Sequence, residues 1–156
     1  MRVVQQRQPP ALAGPGASRG RPVLLATLDV PFDRDAVVVA VDTAVELGQR
    51  LIVANFVEQP LLPLSASMGY DLLPYPPKLA ESLAAPAHLA RSLGVEVSRL
   101  RVKSFHPIQA IVEVTAEEDA GFLVFGPDRS RLRRRRYRRA SRVIRSNVSA
   151  LIWLAD

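Results

Sequence analysis

Arginine dominates one short segment of the chain and gives it the chemistry of an anion-binding site. Residues 126–145 read GPDRSRLRRRRYRRASRVIR, with ten arginines opposed only by Asp128. Guanidinium groups bind phosphate oxygens through paired, charge-assisted hydrogen bonds, and Tyr137 adds a ring on which a base could stack. The arginines of this segment that could bind an anion or a protein partner are Arg131, Arg133, Arg134, Arg135, Arg136, Arg138 and Arg139.

Catalytic chemistry has little support elsewhere in the chain. There is no cysteine, which excludes disulfides, thiol catalysis and cysteine metal sites. His88 and His106 are the two histidines, too few for a histidine metal cluster, and no nucleophile stands beside a base. We therefore predict no catalytic residue and no metal site.

The net charge of +6 is unevenly distributed. The arginine-rich stretch carries +9, the first 21 residues add four arginines, and the remainder has seven basic against 14 acidic groups. This pattern indicates an acidic domain over residues 22–156 that carries a basic segment, preceded by a flexible basic tail over residues 1–21. General attraction to nucleic acid is therefore not a property of the whole surface.

Hydropathy gives no indication of a membrane or export signal. No apolar run approaches the roughly 18 residues that a membrane span needs, and the first ten residues, MRVVQQRQPP, lack the apolar block of a secretory signal. We expect a cytoplasmic protein that does not enter a membrane.

Predicted strands and helices alternate regularly along the chain, and they must position these residues. Short apolar runs end at Asp29, Glu58, Ser104, Gly126 and Ala155, as buried strands do. Helical spacing separates them over 33–48, 77–94, 106–121 and 140–148, with a proline-rich loop over 58–77. Pro86 should kink or divide the second helix.

This order predicts a single α/β domain with a five-stranded parallel sheet and helices on both faces. In such sheets ligands bind beyond the carboxyl ends of the strands. Asp29 and Gly126 follow the first and fourth strands, so they mark the predicted ligand-binding edge.

Residues 22–155 resemble the universal stress protein (UspA) family, which has a Rossmann-like fold. The resemblance lies in LLATLDVPFDRDAVVVAVDTAVELG, in HPIQAIVEVTAEEDAGFLVFG and in RVIRSNVSALIWL. ATP-binding members carry a loop of the form G-x-x-G, nine residues, then G-[ST], whose amides hold the phosphates. The resemblance places Asp29 at the adenosine end, Gly126 at the first glycine and Ser141 at the final serine. Arg129 stands at the second glycine, and no glycine precedes Ala140.

Three functions stay open on this pattern. The first is a dimeric regulatory domain without a cofactor, because an arginine at the second glycine denies phosphate a close approach to backbone. The second is an ATP-binding stress sensor that uses Asp29 and the loop after Gly126, with at most slow ATP hydrolysis. The third is polyanion or nucleic-acid binding through the arginine-rich segment 129–145, which we predict to be a loop.

The last apolar run, ALIWL, predicts a hydrophobic strand at the edge of the sheet, which a monomer would leave uncovered. The resemblance implies that the edge is covered by pairing with a second copy of the chain. The residues at that predicted dimer edge are Leu151, Ile152, Trp153 and Leu154.

Overall fold

The computed structural model describes residues 20–60 and 75–155, together with the backbone of residues 2–8. Ten elements follow in chain order: β1 Arg2–Gln8, β2 Val23–Thr27, α1 Arg34–Leu47, β3 Leu51–Glu58, α2 Pro77–Ser92, β4 Val97–Ser104, α3 Pro107–Glu117, β5 Phe122–Phe125, α4 Arg134–Asn147 and β6 Leu151–Leu154.

The sheet has the strand order β1-β4-β3-β2-β5-β6. Strands β2 to β6 are parallel, so the predicted five-stranded parallel sheet is confirmed. Strand β1 adds an antiparallel partner to β4, in a region where the sequence predicts a flexible tail. The rest of the predicted tail up to residue 19 lies outside the described residues, as do residues 61–74 of the proline-rich loop.

Helices cover both faces of the sheet, as predicted. Successive residues of β2 point to opposite faces, so Leu24 joins one core cluster and Leu25 the other. One cluster lies beneath α3 and α4, the other beneath α1 and α2. Because both faces are covered, β2 is buried along its whole length, which explains its unbroken apolar sequence.

Helix α1 begins and ends where its sequence predicts. The side chain of Asp33 accepts a hydrogen bond from the backbone N–H of Ala36 at 3.0 Å and so caps the first turn. Gly48 follows the last turn with φ of 62°, the left-handed conformation that a glycine adopts without strain.

Of the two effects predicted for Pro86, a kink or a division of the second helix, the division is wrong. Helix α2 runs without a break from Pro77 to Ser92, with Pro86 inside it. Proline removes a single intrahelical hydrogen bond. The burial of Pro86 together with Ala87 and Ala90 on the side facing the protein holds the helix together across it.

The prediction that the arginine-rich segment 129–145 is a loop is wrong for most of its length. Helix α4 begins at Arg134, six residues before the start predicted at Ala140. Tyr137, Ala140, Ser141 and Ile144 form its buried face at the spacing i, i+3, i+4, i+7. Arginine is also a good helix former, so the same residues that suggested a solvated loop extend the helix.

Gly126 is required where β5 leaves the sheet beneath α1. A Cβ atom at this position would come within 2.0 Å of the Cβ of Ala36. The first turn of α1 therefore approaches the end of β5 as closely as it does because residue 126 has no side chain.

We predict that Gly126→Ala lowers the free energy of unfolding by about 1–3 kcal/mol, because the added methyl forces α1 away from the sheet. Adding Ala36→Gly should recover part of the loss, since the next contact, with the Cα of residue 36, would be an ordinary 3.5 Å. Urea unfolding of both variants and of Ala36→Gly alone measures this. A Gly126→Ala protein as stable as wild type would contradict the packing argument.

Candidate functional site

Asp29 lies beyond the carboxyl end of β2, at the edge where the sequence places a ligand. Its φ of 55° is left-handed, a conformation that aspartate tolerates better than most residues. The backbone N–H of Asp29 donates to Oδ1 of Asn55 at 2.8 Å, and Nδ2 of Asn55 donates to the hydroxyl of Tyr75 at 2.7 Å. The buried side-chain amide of Asn55, in β3, thus links the end of β2 to the start of α2.

The environment of Asp29 favours its neutral form. Partial burial raises the pKa of its carboxyl above the ordinary 3.8, although the residue is exposed at the rim of the sheet. A hydrogen bond with Asn55 and the positive charges of Arg101 and Arg136 oppose this shift without cancelling it. The guanidinium of Arg101 also lies 3.9 Å from the ring centre of Tyr75.

Sequence reasoning missed Asn55, Tyr75 and Arg101 as members of this site. Asn55 is the one polar residue inside the apolar run LIVANF, and this was a usable signal. A polar side chain in a fully buried strand must find a hydrogen-bond partner. Tyr75 and Arg101 come from distant parts of the chain, so only the fold brings them to Asn55.

The loop after β5, residues 126–133, begins with backbone groups that are already bonded. The N–H of Gly126 donates to the carbonyl of Ala26 at 3.0 Å, and the Gly126 carbonyl accepts from Asp33 at 2.9 Å. Pro127 has no N–H. The first two positions therefore offer no free amide to a phosphate.

Asp128 organises the remainder of the loop. Its own N–H donates to the carbonyl of Pro31 at 2.8 Å, and its carboxylate accepts from both the N–H and the hydroxyl of Ser130. Its carbonyl accepts from the N–H groups of Arg131 and Leu132 at 3.0 and 3.1 Å. These bonds close the loop on itself as a tight turn.

Arg129, at the second glycine position, is directed into the protein. Its Nη1 donates to the carbonyl of Ala155 at 3.1 Å, and its guanidinium lies 3.7 Å from the ring centre of Tyr137. The Tyr137 hydroxyl donates to the same carbonyl, and its ring stacks on Phe125 with centroids 5.7 Å apart. Arg129 therefore ties the loop to α4 and the end of β6 and does not face solvent as a free cation.

The arginines of α4, unlike Arg129 of the loop, face outward. No side chain caps the helix at Arg133, and the first turn contains no acidic residue, although a helix N-terminus favours negative charge. Arg136 lies 3.8 Å from the carboxylate of Glu58, a partly exposed pair that contributes little stability. The exposed arginines of the helix are Arg134, Arg135, Arg138, Arg139, Arg142 and Arg145.

A groove lies on each flank of α4. The α3–α4 groove, of about 650 Å³, runs between the start of α3 and Arg135, Arg136 and Arg139. The α4–β6 groove, of about 670 Å³, runs between α4 and the end of β6. Both are lined by several arginines, so both favour anions.

Ser141 does not lie at the start of α4, where the resemblance would place a phosphate ligand. It falls in the helix interior on the buried face, with 8% of its surface exposed, and it lines the α4–β6 groove. Its hydroxyl is buried and has no hydrogen-bond partner among the described residues. Asp29 and Gly126 follow the neighbouring strands β2 and β5, and neither of them lines the groove that Ser141 lines.

Strand β6 ends the sheet with one side unpaired in the part of the chain that the structure describes. Leu151 and Ala155 donate their N–H groups to β5, so those of Ile152 and Leu154 point to the open edge. Leu151 is 73% exposed, whereas Trp153 is half-buried against the core beneath α1 and α2. Trp153 therefore lies at the edge while packing on its own chain.

Metal and membrane features are absent from residues 20–60 and 75–155. No group of three or more acidic or histidine side chains comes together there as a metal site. None of the helices in these ranges combines the length and the apolar content needed to cross a bilayer.

Comparison with solved structures identifies the fold. The structure of a universal stress protein from Archaeoglobus fulgidus aligns with a TM-score of 0.61 and 17% identity, covering 88% of this chain and 94% of that one. A structure of the protein from the same organism in complex with dAMP aligns at 0.59, with 16% identity and coverages of 88% and 98%. The chain has the universal stress protein fold.

A third universal stress protein, in complex with cAMP, aligns with a TM-score of 0.55 and 17% identity over 87% of this chain and 96% of that one. No model of a known protein family and no curated protein matches the sequence. At these identities the likeness establishes the universal stress protein fold, and the chemistry of the site must be argued from this chain's own residues.

We predict that Asp29→Asn stabilises the protein at pH 7 and has little effect at pH 3. The unfolded chain ionises this carboxyl at a lower pH than the folded chain, so ionisation costs the folded state stability as pH rises through both pKa values. Asparagine accepts the left-handed backbone and removes that cost. Urea unfolding across this pH range measures the difference.

Asp119→Asn is the matched control, because Asp119 also has positive φ, at 50°, but lies on the surface beside Arg21. We expect no stabilisation that grows with pH in this variant. If Asp29→Asn became less stable relative to wild type as pH rises, the desolvation argument would be wrong.

Proposed function

We propose that this protein is a dimeric, non-enzymatic regulatory domain of the universal stress protein type that does not hold ATP in that family's usual way. The observation that carries the proposal is the closed loop after β5. Its amides at Gly126, Asp128, Ser130, Arg131 and Leu132 already donate within the chain. A phosphate cradle requires such amides to point together at an anion.

Arg129 adds a second obstacle to phosphate binding at this loop. Its guanidinium is engaged by Tyr137 and by the carbonyl of Ala155, so it does not substitute for the missing glycine amides. The alternative of an ATP-binding sensor draws on Asp29 at the strand end and on relatives whose structures contain dAMP or cAMP. It would require the loop to break most of its internal hydrogen bonds.

We predict that ATP binds no more tightly than inorganic tripolyphosphate in calorimetric titrations of the wild-type protein, because the strand-end loop adds no contact with the nucleotide, and that no nucleotide is released when the purified protein is denatured. Arg129→Gly should not create binding, because the other loop amides stay bonded. It should lower stability by about 1–2 kcal/mol through loss of the Ala155 hydrogen bond and the stacking on Tyr137.

A universal stress protein that binds nucleotide serves as the positive control in the same titration. Binding of ATP that is clearly tighter than that of tripolyphosphate, or co-purifying nucleotide, would refute the proposal. Binding gained on Arg129→Gly would show that the arginine alone blocks an otherwise competent loop.

The proposed dimer pairs the β6 edges of two copies. Ile152 and Leu154 direct their N–H groups to that edge, and Leu151 adds an exposed apolar side chain. A second β6 would satisfy the backbone groups and cover the leucine, which is the usual solution for an apolar edge strand.

We predict that the wild type sediments as a dimer and that Leu151→Lys weakens its self-association at least tenfold, because a charge would be buried at the paired edges. Leu47→Lys is the matched control, since Leu47 is also exposed, at 60%, but lies at the end of α1. Sedimentation equilibrium measures both. A monomeric wild type, or equal loss in the two variants, would contradict pairing through β6.

A second candidate function is polyanion binding by α4. The observation that favours it is the exposure of six arginines on one helix, none of which has a carboxylate within ion-pair distance among residues 20–60 and 75–155. Helical order holds these charges in fixed rows, as a flexible loop would not. Such binding should weaken steeply as salt rises, because neutralised phosphates release counterions.

A further inference from the structure

The α4–β6 groove combines three cationic side chains on one side of α4. Arg138, Arg142 and Arg145 line it at the spacing i, i+4, i+7, so they follow one another over about 10 Å of helix. All three are exposed, and no described carboxylate neutralises them. Like charges at this spacing repel one another, and an anion between them would remove that repulsion.

The same groove contains a polar group that lacks a partner. Ser141 lies between these arginines along the helix and lines the groove, while its hydroxyl is buried and unpaired among the described residues. A buried hydroxyl without a hydrogen bond is unfavourable, and native structures rarely leave one. A ligand seated at the base of the groove would supply the missing partner.

We infer that the α4–β6 groove is a binding site for a small ligand with two or more phosphate groups in series. Guanidinium forks and a hydroxyl are the donors that phosphate oxygens favour, and three arginines in a row require more than one negative group. Asp29 and Gly126 do not line this groove, so the site is separate from the strand-end loop. The inference rests on phosphate recognition by α4, the second function proposed for this chain.

Calorimetric titration with inorganic tripolyphosphate at constant ionic strength tests the site. Arg142→Gln should weaken binding about tenfold or more, since it removes a charge-assisted contact. Ser141→Ala should weaken binding about fivefold without any change in charge. General attraction between a basic surface and a polyanion would not respond to the loss of a neutral hydroxyl.

Arg131→Gln is the matched control, because Arg131 is exposed, belongs to the same basic segment and lines neither groove. We expect its effect on tripolyphosphate binding to be about twofold or less. Ser141→Ala removes an unpaired hydroxyl, so thermal unfolding should show a protein at least as stable as wild type.

A parallel titration with a single-stranded oligonucleotide distinguishes the phosphate site in the α4–β6 groove from general polyanion binding by α4. If the oligonucleotide binds but tripolyphosphate does not, or if Ser141→Ala and Arg131→Gln affect tripolyphosphate equally, the groove site is refuted while polyanion binding by α4 stands. If neither ligand binds, both are refuted. Tripolyphosphate binding that depends on Ser141 and Arg142 supports the site.

Discussion

The stacking of Tyr137 on Phe125 fixes where α4 lies on the sheet. The positive charge of the surface on both sides of α4 follows from that position. With the Tyr137 ring on β5, the residues one and two turns later, Ala140 and Ile144, also face the core. The arginines between them must then point away from the sheet along both flanks. Two basic grooves are the result, one beside α3 and one beside β6.

The same stacking closes the strand-end loop. Arg129 packs on the face of Tyr137 and donates to the carbonyl of Ala155, which also accepts from the Tyr137 hydroxyl. A glycine at residue 129 could not make these contacts. The arginine that breaks the sequence pattern of a phosphate loop is therefore also what joins the loop to the end of β6.

Helix α4 begins against the usual electrostatic preference. Its N-cap, Arg133, and its first-turn residues Arg134, Arg135 and Arg136 lie at the positive end of the helix dipole, with no capping side chain. The weak pair with Glu58 offsets only one of these charges. Sequences that break local rules in this way usually do so at functional sites, and here the conflict would be relieved by a bound anion.

The sequence predicted the fold well because the signals for it are local. Apolar runs, the Asp33 cap and the Gly48 stop each act within a few residues, and the alternation of elements then limits the topology. The start of α4 was missed because its charge obscured the periodic positions of Tyr137, Ala140 and Ile144. The hydrogen bonds of Asn55 could not be predicted, since they depend on segments that meet only in the folded chain.

Gly126 shows why a glycine that matches one position of a sequence motif does not by itself establish a phosphate site. A glycine is needed there whether or not a ligand binds, because Ala36 of α1 occupies the space that a side chain would fill. Its amide and carbonyl are both used to join β5 to β2 and to the start of α1. The residue is thus required by packing in a loop whose amides at Asp128, Ser130, Arg131 and Leu132 already donate within the chain. The basic grooves beside α4 do not depend on the packing of Gly126 against Ala36, so an anion could be bound there without any change in the sheet.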